Sequence, residues 1–415
     1  MVSYLSLKNP PRKIQGEILI PGSKSESNRA LILKALTKGA ISIHNLSYAD
    51  DTVCMEKLLK AVDQRPNSGE EITLDVGPAG TVMRFLTAFL SLQAGSFVLT
   101  GSSRMLERPI QILVEALVQL GAEIEYLGKE GYPPIRIHGK PWEGKRIRIP
   151  ANISSQYISA LLLIAPFTPQ GLEIEMEGEL TSAPYVEMTL EMMESIGIQV
   201  ERKKGAWKIP AQSIQAGEIK IEPDWSGASY WFSMAALAPE IDLCLLGLQE
   251  KSLQADRKIV EIMKDFGVQT RFEKNGIYLS KRAHFQYPKA LNFKTCPDIA
   301  QTLIACGAGL NLDLLCTGLE TLKIKETDRV EAMKQELEKI GVRIESTDSQ
   351  AHLLPKIGEF PKSMVFMTYH DHRMAMALAP LVYRIEEVKI ENPEVVGKSY
   401  PSFWEDLKKL GFIIE

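Results

Sequence analysis

Pro21-Gly22-Ser23-Lys24-Ser25-Glu26-Ser27-Asn28-Arg29-Ala30 turns an alternating strand, Gly16-Glu17-Ile18-Leu19-Ile20, into an apolar helix that continues through Leu31-Ile32-Leu33-Lys34-Ala35-Leu36. The polar residues therefore stand at a helix N-terminus. Free backbone N–H groups and the positive end of the helix dipole favour an anion there, and Lys24 and Arg29 add formal charge. Taken alone, the segment fits equally well an N-cap in which Ser and Asn satisfy first-turn amides. Its weight comes from recurrence.

Polar segments running into unusually apolar helices begin at 23–33, 77–90, 154–164, 225–237, 297–308 and 370–381. Helix ends share a second grammar, in which an apolar residue is followed by Gly and then by an alternating strand. It appears at Gly121, Gly197, Gly267, Gly341 and Gly411, which lie 76, 70, 74 and 70 residues apart. A weaker copy ends near Ala61-Val62 without a glycine. Helices such as Tyr157-Ile158-Ser159-Ala160-Leu161-Leu162-Leu163-Ile164-Ala165 are apolar nearly all round, so they should be buried on every side. Each unit reads as strand, helix, strand, helix, strand. Units of this length are too large for a solenoid repeat, and six of them divide into two lobes of three, joined near 217–224. Parallel buried helices would gather their polar N-termini at one end of each lobe. Two such ends facing one cleft would trap anions, and lobe closure is the expected motion.

The bulk numbers agree with a soluble, multi-domain chain. At 415 residues two or three domains are expected. Lys+Arg 48 against Asp+Glu 52 leaves a net charge of -4, so no general attraction to nucleic acid or an anionic membrane is indicated. No apolar run has the length of a signal peptide or membrane span, and five cysteines without a C-x-x-C pair argue against a disulfide framework. A cytoplasmic protein is expected, with a monomer as the expected state.

Several charged constellations remain. Arg104-Met105-Leu106-Glu107-Arg108-Pro109 precedes a helix over 110–119, with Pro109 suited to its first position. Its arginines suit bidentate capture of a carboxylate or phosphate, although a solvated loop is the plainer reading in isolation. Arg84, inside an apolar helix, needs a partner or a ligand. Lys323-Ile324-Lys325-Glu326-Thr327-Asp328-Arg329 packs five charges before a helix over 330–340. Within it Asp328 fits a cap, and Lys325, Glu326 and Arg329 fit a site in which cations tune a carboxylate. Asp298, after Cys296-Pro297, reads equally as N-cap or catalytic carboxylate. In Tyr369-His370-Asp371-His372-Arg373 the two histidines are two apart and do not share a helix face, so a metal set is not completed. Gly397-Lys398-Ser399 resembles the end of a P-loop, yet Asn392 stands where its first glycine is needed.

Taken in order, 21–30, Ala79-Gly80-Thr81-Val82-Met83-Arg84, 104–109, Ser154-Ser155-Gln156, 325–329 and Asp371-His372-Arg373-Met374-Ala375-Met376 closely resemble the 5-enolpyruvylshikimate-3-phosphate (EPSP) synthase family across essentially the whole chain. The resemblance implies an α/β fold, a two-lobed inside-out α/β barrel with three repeats per lobe around buried parallel helices. It implies lobes of 1–20 plus 223–415 and of 21–222, with the first strand crossing over to complete the C-terminal lobe. The family transfers the enolpyruvyl group of phosphoenolpyruvate to shikimate 3-phosphate in aromatic amino-acid synthesis.

By the same resemblance Lys24, Ser25 and Arg29 would contact substrate. Ser154, Ser155, Gln156, Ser182, Tyr185, Asp298 and Lys325 would bind shikimate 3-phosphate. Lys24, Gly80, Arg108, Gln156, Arg329, Arg373 and Lys398 would bind phosphoenolpyruvate. The chemistry needs a base for the attacking hydroxyl, which Asp298 suits, and an acid for the methylene carbon, which Glu326 suits with Lys24 alongside. No metal or organic cofactor is required. Departures are Pro78, Thr321 and His370 where the family often has Asn, and Phe85 where it often has Pro. Alternative readings are the sister transfer to a UDP-N-acetylglucosamine, which usually accompanies a cysteine in the loop 101–109 that is absent here, and a non-catalytic binder of phosphorylated metabolites.

Overall fold

The computed structural model describes residues 3–65, 70–151, 154–178, 180 and 183–415. The chain divides into two compact units, Met1–Gly22 with Glu222–Glu415, and Ser23–Ile221.

In Ser23–Ile221 three helices, Lys24–Leu36, Gly80–Ser91 and Ser155–Ile164, pack on one another. Their apolar residues are almost wholly buried; Ile32, Leu33, Val82, Met83, Leu86, Ile158 and Leu162 have no exposure. Burying such all-round apolar helices at the centre drives the sheets to the outside, because a sheet can wet one face and these helices cannot. Two four-stranded sheets lie in this unit. One joins Ile72–Asp75, Gly95–Thr100, Ile135–Gly139 and Glu123–Tyr126, and the other Arg146–Pro150, Leu172–Glu177, Ala206–Ile209 and Glu201–Lys203. Ion-pair ladders cover an outer face, with Arg136 beside Glu71 and Glu125, and Arg148 beside Glu175.

The second unit repeats the plan around Trp225–Leu237, Ala300–Gly309 and the shorter helix His372–Leu378. The N-terminal ends of these helices meet: Arg373, the second residue of one, reaches Ser226, the second residue of another, and Asp298, just ahead of the third. At the opposite ends Lys281 donates to the Ala236 carbonyl and Arg384 to that of Gly309, matching cations to the negative poles. In the first unit Gln156 donates to Thr81, again joining the first turns of two buried helices.

The helix-end glycines 121, 197, 267, 341 and 411 all have positive φ, between 79° and 105°, as a left-handed C-terminal position requires. Four expectations change. A fourth strand pairs back onto each full sheet, so strand, helix, strand, helix, strand understates the repeat. The first repeat is smaller, since its sheet is only Ile41–His44 beside the parallel Gly217–Lys220. The segment read as one strand over 1–20 forms two, Tyr4–Lys8 paired with Glu387–Glu391 and Ile413–Ile414, and Lys13–Leu19 paired in parallel with Glu240–Leu246. Pro10 and Pro11 between them remove two ladder donors, which breaks the strand. Finally, the helix after Arg108 is Gln111–Gln119 with Ile110 at its N-cap, so Pro109 precedes the helix and its carbonyl serves as an acceptor.

Candidate active site

In the unit Ser23–Ile221 the opening turn is a capped helix start and also a store of buried charge. Ser23 caps Lys24–Leu36 by accepting from the Glu26 amide. Lys24 pairs with Asp51 at 3.2 Å, both largely buried. Arg29, 3% exposed, donates Nε to Thr189 Oγ1 at 2.7 Å and its terminal nitrogens to the Ser25 and Tyr185 carbonyls and to Ser159 Oγ. Its guanidinium also lies 5.4 Å from the centre of the Phe85 ring. Phe85, a departure from the family pattern, thus supplies a π face to a buried cation. Burial brings the Arg29 pKa down to about 10, with Tyr185 and Glu26 opposing that shift.

Arg108 is different. Its side chain is buried, its Nε has no hydrogen-bond partner among the described residues, and its guanidinium rests on the first turn of Gly80–Ser91. A Cβ placed on Gly80 would stand 2.6 Å from an Arg108 terminal nitrogen, so only glycine admits this approach. Arg84 answers its own expectation with main-chain partners: it donates to the Gly80 carbonyl at 3.2 Å and to the Pro109 carbonyl at 3.0 Å. Tyr157 donates to that same Pro109 carbonyl at 2.5 Å. Arg84 and Tyr157 therefore hold the loop that carries Arg108. Arg104, by contrast, is exposed and paired with Glu107.

Ser154 caps Ser155–Ile164 by accepting from the Gln156 amide, and Ser155, Gln156 and Tyr185 are half-buried. Ser182 lies outside the described residues. Pro78 is exposed in the turn before Gly80.

The second unit gathers carboxylates as well as cations. Asp298 sits in the short turn Pro297–Ile299 without capping, and its carboxylate meets Arg373 at 3.1 Å, Arg329 at 3.4 Å and Lys325 at 3.9 Å. Arg329, 2% exposed, also binds Glu326 at 2.9 Å and Asp371 at 2.7 Å. Burial opposes the Arg329 charge, and Asp371 and Glu326 more than offset it, so the guanidinium pKa is raised. Asp328 caps Arg329–Glu338 by accepting from the Glu331 amide. Asp371 caps His372–Leu378 and, fully buried, accepts from both the Arg373 amide and Arg329 Nε. Lys398 donates to the His370 carbonyl at 2.7 Å, beside two successive residues, Tyr369 and His370, in the left-handed region. Thr321 Oγ1 is buried without a partner among the described residues.

No local pattern in the sequence singles out Asp51, Asp371 as the Arg329 partner, or Ser226 and Asp256. These side chains matter through contacts across 27, 42 and more residues, which no local pattern encodes.

The fold has solved counterparts. EPSP synthase from Acinetobacter baumannii superposes with a TM-score of 0.76 at 21% identity, covering 100% of this chain and 99% of that one. The enolpyruvyl transferase NikO from Streptomyces tendae gives 0.75 at 14% identity over the same shares. The fold is that of the enolpyruvyl transferases. Sequence narrows the class: the model of EPSP synthase (3-phosphoshikimate 1-carboxyvinyltransferase) matches residues 8–407. A 3-phosphoshikimate 1-carboxyvinyltransferase of Bacteroides fragilis is 43% identical over 99% of this chain and 98% of the relative. One from Pasteurella multocida is 35% identical over 97% of each. The chain belongs to the EPSP synthase family. No helix among the described residues is long and apolar enough to cross a membrane.

Proposed function

We propose that the chain transfers the enolpyruvyl group of phosphoenolpyruvate to the 5-hydroxyl of shikimate 3-phosphate, releasing phosphate. The observation that carries this reading is the placement of two carboxylates, Asp298 and Glu326, on one buried guanidinium, Arg329. An addition to an enol double bond needs a base and an acid close together, and a shared cation orients both. Asp298 takes the proton of the 5-hydroxyl as its oxygen attacks the central carbon of phosphoenolpyruvate. Glu326 protonates the methylene carbon. The tetrahedral intermediate then loses phosphate with the proton steps reversed, and the enol double bond reforms.

Arg108, Gly80, Gln156, Arg329, Arg373 and Lys398 take the phosphate and carboxylate of phosphoenolpyruvate. Ser154, Ser155, Gln156, Ser182, Tyr185, Asp298 and Lys325 hold shikimate 3-phosphate, and Lys24, Ser25 and Arg29 serve at the meeting of the two substrates. The chain acts as a monomer in the cytoplasm, without a metal or organic cofactor. Support for the phosphoenolpyruvate side comes from Arg108, a buried guanidinium whose Nε has no partner among the described residues.

The test is phosphate release from phosphoenolpyruvate, first with shikimate 3-phosphate and then with UDP-N-acetylglucosamine. Release with the first alone is expected. Release with the second alone makes the chain the sister enzyme, and release with neither makes it a binder.

A further inference from the structure

Asp256 lies in the turn Ala255–Lys258 at 4% exposure. Its Oδ2 accepts from Ser226 Oγ, while Oδ1 is buried with no hydrogen-bond partner among the described residues. Ser226 Oγ in turn lies 3.5 Å from an Arg373 terminal nitrogen. That same nitrogen is 3.1 Å from Asp298 Oδ2, and the other terminal nitrogen of Arg373 donates to the Asp298 carbonyl at 2.9 Å. One guanidinium is therefore shared by two carboxylates, Asp298 directly and Asp256 through a hydroxyl. A carboxylate buried with an open oxygen is costly as structure alone, which points to a role for its charge.

We propose that Asp256 is a positioning residue that sets the basicity of Asp298, acting through Ser226 and Arg373. The proposal rests on the reading that Asp298 takes the hydroxyl proton. When Asp256 is ionised it draws the charge of Arg373 toward itself and repels the Asp298 carboxylate, so Asp298 binds a proton more readily and is the stronger base. When Asp256 is neutral, Arg373 serves Asp298 alone and the base weakens. The groups facing Asp256 are Ser226 from the helix Trp225–Leu237 and its N-cap Asp224, Cys296 and Asp298 from the segment before Ala300–Gly309, and Arg373 from His372–Leu378, while Lys258 on the same turn acts on Cys296. Burial, then the Asp298 charge, push the Asp256 carboxyl up to about 7, against the pull of Arg373 and Ser226. The switch between the two states therefore falls near neutrality.

The closing experiment has one arm without turnover and one with it. In a carboxyl-carbon NMR titration of the unliganded protein, an aspartate titrating near pH 7 is expected in the wild type and absent from Asp256→Asn. The Asp298 signal, assigned by its loss in Asp298→Asn, is expected to titrate at lower pH in Asp256→Asn. In steady-state assays kcat of the wild type is expected to decline as pH falls through about 7, whereas Asp256→Asn declines only at lower pH from a plateau lower by on the order of tenfold. Binding of shikimate 3-phosphate should stay within about twofold, and Asp256→Glu should recover part of the plateau.

Should Asp256→Asn fail to fold, Ser226→Ala cuts the same link, and a smaller shift in the same direction is expected. An unmoved Asp298 titration with an unmoved pH profile in whichever variant folds overturns the proposal. A wild type that releases no phosphate overturns the reaction reading instead, and the titration arm then decides the coupling by itself.

Discussion

Arg29 and Arg329 are both buried arginines near a helix start, one in each unit, and their surroundings are opposite. Arg29 is held by two carbonyls, two hydroxyls and an aromatic face, none of them charged. Arg329 is held by three carboxylates, Asp298, Glu326 and Asp371. The first arrangement leaves a net positive charge in a poorly solvated place, and burial accordingly pulls the Arg29 pKa down. The second consumes the cation to keep acids close together, and the arginine pKa moves up despite burial. Neutral partners keep a charge available to an anionic ligand, whereas charged partners convert an arginine into a scaffold for acid–base groups.

If the contrast is right, removing each arginine should have a different cost. Arg329→Met leaves buried carboxylates facing one another, and a loss of about 3–5 kcal/mol in unfolding free energy is expected. Arg29→Met orphans neutral hydrogen-bond acceptors and removes the positive charge that Glu26 feels, and should cost about 1–3 kcal/mol. Equal losses in denaturant titrations would erase the distinction. Turnover comes next: Asp298→Ala and Glu326→Gln are each expected to lower kcat by roughly 10²- to 10⁴-fold, with shikimate 3-phosphate binding retained in the Gln variant. Wild-type turnover in either would remove that residue from the chemistry.

Smaller effects probe Arg108. Gly80→Ala pushes a methyl into the end of a flexible guanidinium rather than into backbone, so the fold tolerates it while the arginine is displaced. A several-fold rise in KM for phosphoenolpyruvate is expected, on the order of 1 kcal/mol of binding, with the melting temperature nearly unchanged. An unchanged KM would mean that Arg108 does not read this substrate. The smallest change is expected at Pro78, which is exposed and lacks the amide a family Asn would provide. Pro78→Asn should lower that KM modestly, and no decrease would show that the missing amide is irrelevant.

A pH prediction follows from Asp256 in the stability of the native state. Its folded pKa, about 7, lies above the 3.8 of an ordinary aspartate, so its contribution to stability is present below about pH 4 and is lost as pH rises toward 7. Asp256→Asn should therefore have a flatter stability profile across that interval than the wild type, measured by thermal unfolding.

Much of the architecture was legible because it is written in local terms. The glycines at 121, 197, 267, 341 and 411 mark a backbone conformation that other residues adopt at a cost, and the buried helices announce themselves by lacking a polar face. The break of the N-terminal segment into two strands is signalled locally by Pro10-Pro11. That these strands join two different sheets was not legible, because pairing over more than 200 residues leaves no trace in either partner. At the site, Lys325, Glu326 and Arg329 stand out by charge density, but in the sequence Asp298 reads equally as a cap, and it is the approach of its carboxylate to Arg329 and Arg373 that distinguishes it.

The sequence by itself thus determined the repeat, the buried helices and the residue types at their N-termini, since each of these depends on neighbours a few positions away. Folding decided which charge is neutralised and which is kept. Arg29, Arg108 and Arg329 are the same residue in similar polar segments, and one lies among hydroxyls and carbonyls, one against a glycine, and one among three acids. Electrostatic energy depends on distances of a few ångströms between groups far apart in the chain, and only packing sets those distances.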